Sequence, residues 1–158
     1  MPEPVSLRER IQEDTTAAMR SGDVLRRDVL RMASNAAYNL EKQQLRELTE
    51  DEVIGVLTRE VKQRRESIDA YRAGGRDDLA SREEAELAIL IEYLPEPLTD
   101  DQLDQLVAEG IAATGSATPR DLGKVMGWLA PRTRGRADGK VVSQKVAAAL
   151  AAAVEQGG

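Results

Sequence analysis

The sequence contains no cysteine and no histidine. Without thiols there is no disulfide framework. Without thiol or imidazole there is no Cys/His zinc site, no Cys–His pair and no Ser–His–Asp triad. Serine, lysine and carboxylates are present, so composition alone does not exclude catalysis. Phenylalanine is also missing, and the aromatics are Tyr38, Tyr71, Tyr93 and Trp128. The core must therefore be built from Leu, Val, Ile, Met and Ala, which suit helix–helix contacts; β-rich folds draw more on aromatic residues and threonine. No apolar run approaches the roughly 18 residues that cross a bilayer. The first ten residues carry early acid and no apolar stretch of the kind a secretory signal has. The expectation from these absences is a cytoplasmic protein with no membrane partner and no metal.

What is present is 158 residues, 41% apolar and 32% charged. That supports one ordinary domain or two very small ones. Ser6-Leu7-Arg8-Glu9 fits a capping box, in which serine and glutamate each satisfy the other's free backbone N–H. Leu7, Ile11, Ala18 and Met19 follow at helical spacing until Ser21-Gly22-Asp23. A second helix carries Val24, Leu25, Val29, Met32, Ala33, Ala36 and Leu40 as its apolar stripe and runs to about Gln44. Thr49 and Glu52 form another capping box, ahead of Val53, Val56, Leu57, Val61, Ile68 and Tyr71. Gly74-Gly75 ends that helix, and a fourth runs from about Asp77 to before Pro95.

Pro95-Glu96-Pro97 forbids helix and marks a joint between residues 1–94 and 98–158. Thr99 and Gln102 begin a fifth helix, and Thr118-Pro119 a sixth that stops before Pro131. A last helix starts near Asp138 or Gly139 and continues through an alanine-rich tail. No segment alternates with period two. The expected fold is all-α and multihelical, with four helices before the joint and three after it.

The formal charge is −6, yet residues 118–146 hold seven basic side chains against two acidic ones. Arg132, Arg134 and Arg136 fall on a Gly/Pro-rich turn just before a helix N-terminus, an arrangement that suits phosphate. A solvated loop is the plainer reading, since the whole chain is acidic and non-specific nucleic-acid binding would be weak. Lys62, Arg65, Asp69, Arg72 and Arg76 share a face that reads as solvent-exposed. Trp128 could stack on a nucleobase, but Val125 and Leu129 bracket it and make a core position the simpler choice. Ser143 lies near Lys140 and Lys145 on what reads as a helix surface, with no oxyanion loop. There is no GxGxxG or GxxxxGK[ST] motif, so no nucleotide cofactor is expected.

Residues 60–80, EVKQRRESIDAYRAGGRDDLA, with the helix from Glu83 to Leu94-Pro95, resemble the N-terminal part of YqeY-like proteins. Residues 121–131, DLGKVMGWLAP, followed by GRADGKVVS at 135–143, resemble their C-terminal signature. The likeness covers roughly residues 6–150. The second signature is also similar to the tail domain of the B subunit of glutamine-dependent aspartyl/glutamyl-tRNA amidotransferase. The resemblance implies an all-α two-domain fold and contact with tRNA. Carried over position by position, Lys124, Arg132, Arg134, Arg136, Lys140 and Lys145 become the RNA-binding candidates, and Gly123, Gly127, Gly135 and Gly139 would shape the turn.

The resemblance also associates the chain with carbon–nitrogen ligase activity using glutamine as amide donor. The large catalytic domain and the amidase Ser–Ser–Lys machinery of that chemistry have no counterpart here. The expectation is a tRNA-associated accessory protein with no catalytic residues of its own, acting with a protein of the translation machinery. The alternative is a helical module that docks an enzyme without binding RNA; a stand-alone enzyme is a third and weaker reading.

Overall fold

The computed structural model describes residues 4–157, so residues 1–3 and 158, the outermost ends of the two expected domains, lie outside the described residues. Seven α-helices and one 3-10 turn account for the secondary structure, and no strand occurs among the described residues. The chain divides between Leu94 and Pro95 into two compact units.

The first unit holds α1 (Leu7–Ser21), α2 (Val24–Gln44), α3 (Glu50–Ala73) and α4 (Asp77–Ile91). Local chemistry sets each boundary. Ser6 Oγ accepts from the Glu9 N–H at 3.1 Å and the Glu9 carboxylate accepts from Ser6 N–H, closing the predicted capping box. Thr49 and Glu52 do the same for α3. Gly22, at φ +79°, ends α1 in the left-handed region where a side chain is disfavoured. The core joins Ile11, Val29, Leu30, Ala33, Leu57, Val61, Ile89, Leu90 and Tyr93 from all four helices and the end of α4. Full burial of each such aliphatic side chain contributes about 1.5–3 kcal/mol. Tyr93 donates its hydroxyl to Asp14 at 2.6 Å, which fastens the end of α4 to α1.

The second unit holds α5 (Asp100–Thr114), the 3-10 turn Pro119–Asp121, α6 (Leu122–Thr133) and α7 (Gly139–Gln156). Thr99 and Gln102 cap α5 as predicted. The core is Leu103, Val107, Val125, Leu129, Val142, Val146 and Leu150, with Trp128 packed partly against it.

Three expectations require correction. The sixth helix does not stop before Pro131: α6 carries that proline inside it and runs to Thr133. Proline removes the N–H that would bond the carbonyl of Gly127. Both residues face solvent, where water reaches that carbonyl. On the inner side, buried Leu129 and buried Thr133 hold the last turn, the Thr133 hydroxyl donating to the Leu129 carbonyl at 3.1 Å. Second, Gly123 and Gly127 do not shape the turn. They lie on the open side of α6, where an added Cβ would meet nothing within 4 Å; of the four glycines only Gly135 has positive φ. Third, Val24, Leu25 and Met32 do not belong to the buried stripe of α2, nor Met19 to that of α1; all four are exposed.

Candidate functional site

The basic residues of the second unit rest on α6, the α6–α7 turn and the start of α7. Lys124 is exposed on α6, with its ammonium 3.8 Å from Asp121. That carboxylate is held below the usual aspartate range by the backbone N–H groups of Ala117 and Thr118, which both donate to it. Arg120 is exposed on the preceding 3-10 turn. Arg132 lies over the indole of Trp128, its guanidinium carbon 3.7 Å from the ring centroid, while also donating to the Trp128 carbonyl. The indole is seated from below: an added Cβ at Gly110 would stand 2.9 Å from Trp128 Cε3. Arg134 is exposed at the end of α6 and forms no ion pair among the described residues. Lys140 is exposed in the first turn of α7.

Two of the six candidates have other work. Arg136 donates from Nε to the Glu96 carbonyl at 2.9 Å, and its own carbonyl accepts from Leu98 N–H at 2.9 Å. It straps residues 96–98 to the α6–α7 turn. Lys145 donates to Asp104 at 2.7 Å and stands 4.0 Å from Asp100. Asp104 holds the ammonium above its ordinary pKa, so Lys145 faces an acidic neighbourhood on α5. Nor is the N-terminus of α7 an open anion site: Asp138 Oδ1 already accepts from Lys140 N–H at 2.9 Å. Lys124, Arg132, Arg134 and Lys140, with Arg120, are thus the exposed cations of this segment and make up the candidate basic rim, whereas Arg136 and Lys145 are set into internal contacts.

In the first unit, Lys62, Arg65, Asp69, Arg72 and Arg76 are exposed, as expected of a solvated face. The i,i+4 pairing of Glu60 with Arg64 is legible in the sequence, but sequence reasoning missed the burial of Arg64, which is 5% exposed. Its guanidinium is 3.0 Å from Glu60 on the same helix and 3.4 Å from Glu86 on α4, with Met32 Sδ of α2 at 3.8 Å. The signal was its register, since position 64 continues the 3–4 spacing of Leu57, Val61 and Ile68. An open groove of about 750 Å³ separates the start of α1 from the end of α2 and the start of α3. Two of its cations are paired: Arg8 is 2.8 Å from Glu41, and Arg46 is 2.8 Å from Glu52. No group of three or more carboxylates converges as metal ligands among the described residues.

The described residues thus define an all-α protein of two helical units, the second carrying several exposed cations. The chain belongs to the family of YqeY-like proteins, whose pattern matches residues 8–150. Among curated proteins it is 30% identical over 148 residues to altered inheritance of mitochondria protein 41, mitochondrial, from Pyrenophora tritici-repentis (strain Pt-1C-BFP), a match spanning 92% of this chain and 81% of that relative. No helix of the described residues is long and apolar enough to cross a membrane.

Proposed function

We propose that the second unit holds structured RNA, tRNA above all, by its phosphate backbone, and that the protein serves amido transfer to tRNA only as an accessory to partner enzymes. The observation that carries this reading is the outer side of α6 and the turn after it. Arg120, Lys124, Arg132, Arg134 and Lys140 are exposed along the same stretch of chain as Gly123 and Gly127, where an added Cβ would meet nothing within 4 Å. Phosphate contacts of this kind position an RNA without reading its sequence. Arg132, over the indole of Trp128, adds a planar cation of the type that stacks on bases. Further parts of the proposal are that residues 95–158 form a domain able to fold alone and that the protein works in the cytoplasm; the relative's name assigns that protein to mitochondria.

The test compares the wild type with a Lys124→Glu/Arg134→Glu/Lys140→Glu variant against unmodified tRNA. A control with two reversed charges carries Lys62→Glu/Arg65→Glu on the exposed face of α3. The first variant should lose affinity for many RNAs alike, and its salt dependence should flatten by roughly one per lost phosphate contact. The control should bind as the wild type does. Equal binding by all three proteins would remove the rim from the account. The competing reading, a helical module that docks an enzyme without RNA, draws on the exposed apolar side chains of α2 and would stand if no RNA binds at all.

A further inference from the structure

Every residue on one line of α2 faces solvent. Val24, Asp28, Arg31, Asn35, Tyr38, Lys42 and Leu45 are all exposed and alternate in steps of four and three, the spacing of a helix-pairing seam. This line lies opposite the residues that α2 buries, Val29, Leu30, Ala33 and Ala37. Val24 is 54% exposed, Tyr38 55% and Leu45 90%. Leu45 also closes α2 at φ +57°, a backbone region where Gly or Asn is the usual choice. A leucine there gains nothing from the core and carries the backbone cost as well.

The order of residues along the line is complementary to its own reversal. Read from either end towards Asn35, an apolar residue (Val24, Leu45) is followed by opposite charges (Asp28, Lys42). Next come a guanidinium and an aromatic ring (Arg31, Tyr38), and Asn35 stands at the centre. We infer that this face is the contact of a symmetric dimer, with α2 lying antiparallel to α2 of a second copy about a two-fold axis near Asn35. Val24 then meets Leu45 of the partner subunit, Asp28 meets Lys42 of the partner subunit, and Arg31 lies against the ring of the partner's Tyr38. A two-fold contact uses the same patch on both copies, so each pairing occurs twice. The seam is about 30 Å long at 1.5 Å per residue and one helix wide. That is the low end of the interface range, and the dimer should dissociate on dilution.

Asp28 and Lys42 are fourteen residues apart on one straight helix, about 20 Å, and cannot pair within a chain. Within the chain Asp28 pairs instead with its neighbour Arg27 at 2.8 Å, and Lys42 stands 5.4 Å from the Tyr38 ring centroid, so the double swap, which restores opposite charges across the seam, is the discriminating variant. Sedimentation velocity across a range of protein concentrations should show the full chain in monomer–dimer exchange. Asp28→Lys should weaken association about tenfold or more, through like charge in two places, and so should Lys42→Asp. The Asp28→Lys/Lys42→Asp double variant should recover the dimer. Both positions of change are exposed, and unchanged helicity by circular dichroism confirms that the fold is kept. A wild type that stays monomeric at every concentration overturns the proposal and leaves the face to a different protein. A dimer that ignores Asp28→Lys, or one that the double swap fails to restore, overturns it too.

Discussion

Gly110 and Gly127 lie in helices of the same unit, and replacing each by alanine should move stability in opposite directions. Alanine gains up to about 1 kcal/mol over glycine inside a helix, because less backbone entropy is lost on folding. At Gly127 nothing lies within 4 Å of the new methyl group, so Gly127→Ala should keep most of that gain. At Gly110 the methyl carbon would stand 2.9 Å from Trp128 Cε3, 3.3 Å from Cζ3 and 3.4 Å from Val125 Cγ1. Val125 is fully buried and cannot retreat. The indole must tilt outward, and its outer face already carries Arg132. Overpacking of this kind costs about 1–3 kcal/mol, so Gly110→Ala should be destabilising by about 1 kcal/mol net. The two variants should then differ by about 2 kcal/mol, on the order of 5 °C in Tm for a chain of this size. Thermal unfolding by circular dichroism measures the gap. Trp128 is the sole tryptophan, so its emission should shift in Gly110→Ala and not in Gly127→Ala. If both variants gain stability equally and the emission of neither moves, the seating of Trp128 on Gly110 is refuted.

Further outcomes follow from the same contacts. Arg136→Ala should cost about 1 kcal/mol, the usual net value of one hydrogen bond. It should also speed hydrogen exchange at the Leu98 amide, whose acceptor is the Arg136 carbonyl; unchanged exchange there would dismiss the strap. The hydrogen bond from Arg46, joined by the backbone N–H of Thr49, lowers the Glu52 carboxyl to about 2. A carboxyl depressed in the folded state contributes stability above its unfolded pKa, and that stability is lost as pH falls from about 4.5 towards 2. Glu52→Gln keeps the cap and should flatten unfolding free energy across that window, which acid titration followed by circular dichroism checks. Residues 95–158 expressed alone should be helical but of low stability, since about 60 residues bury little core. An unfolded fragment beside a stable full chain would show that the second unit depends on the first.

Most of the fold was legible because its punctuation is local. Ser6/Glu9, Thr49/Glu52 and Thr99/Gln102 each close a capping box with residues three apart, and such pairs can be read without tertiary knowledge. What depends on a third element was not legible. The last turn of α6 outlasts Pro131 because Leu129 and Thr133 are buried against their unit, which no propensity reveals. Arg64 hides on the core side because its partner Glu86 comes from another helix. Apolarity alone placed Val24 and Met32 inside, although α2 had already turned a different face to its neighbours. The candidate rim divides for a similar reason. Charge pattern picks out seven cations and the family resemblance six of them, but only the fold shows Arg136 tied to Glu96 and Lys145 to Asp104.

The central claim is that the second unit binds RNA through phosphate contacts on α6 and the turn after it. Its most direct test is the affinity of the full chain for tRNA, measured by fluorescence anisotropy at a series of salt concentrations. The account predicts measurable binding at low salt and a linear fall of log affinity with log salt. The slope should correspond to a handful of contacts and diminish when Lys124, Arg134 and Lys140 are reversed. Absence of binding at the lowest salt, or binding whose slope those reversals leave untouched, would contradict it.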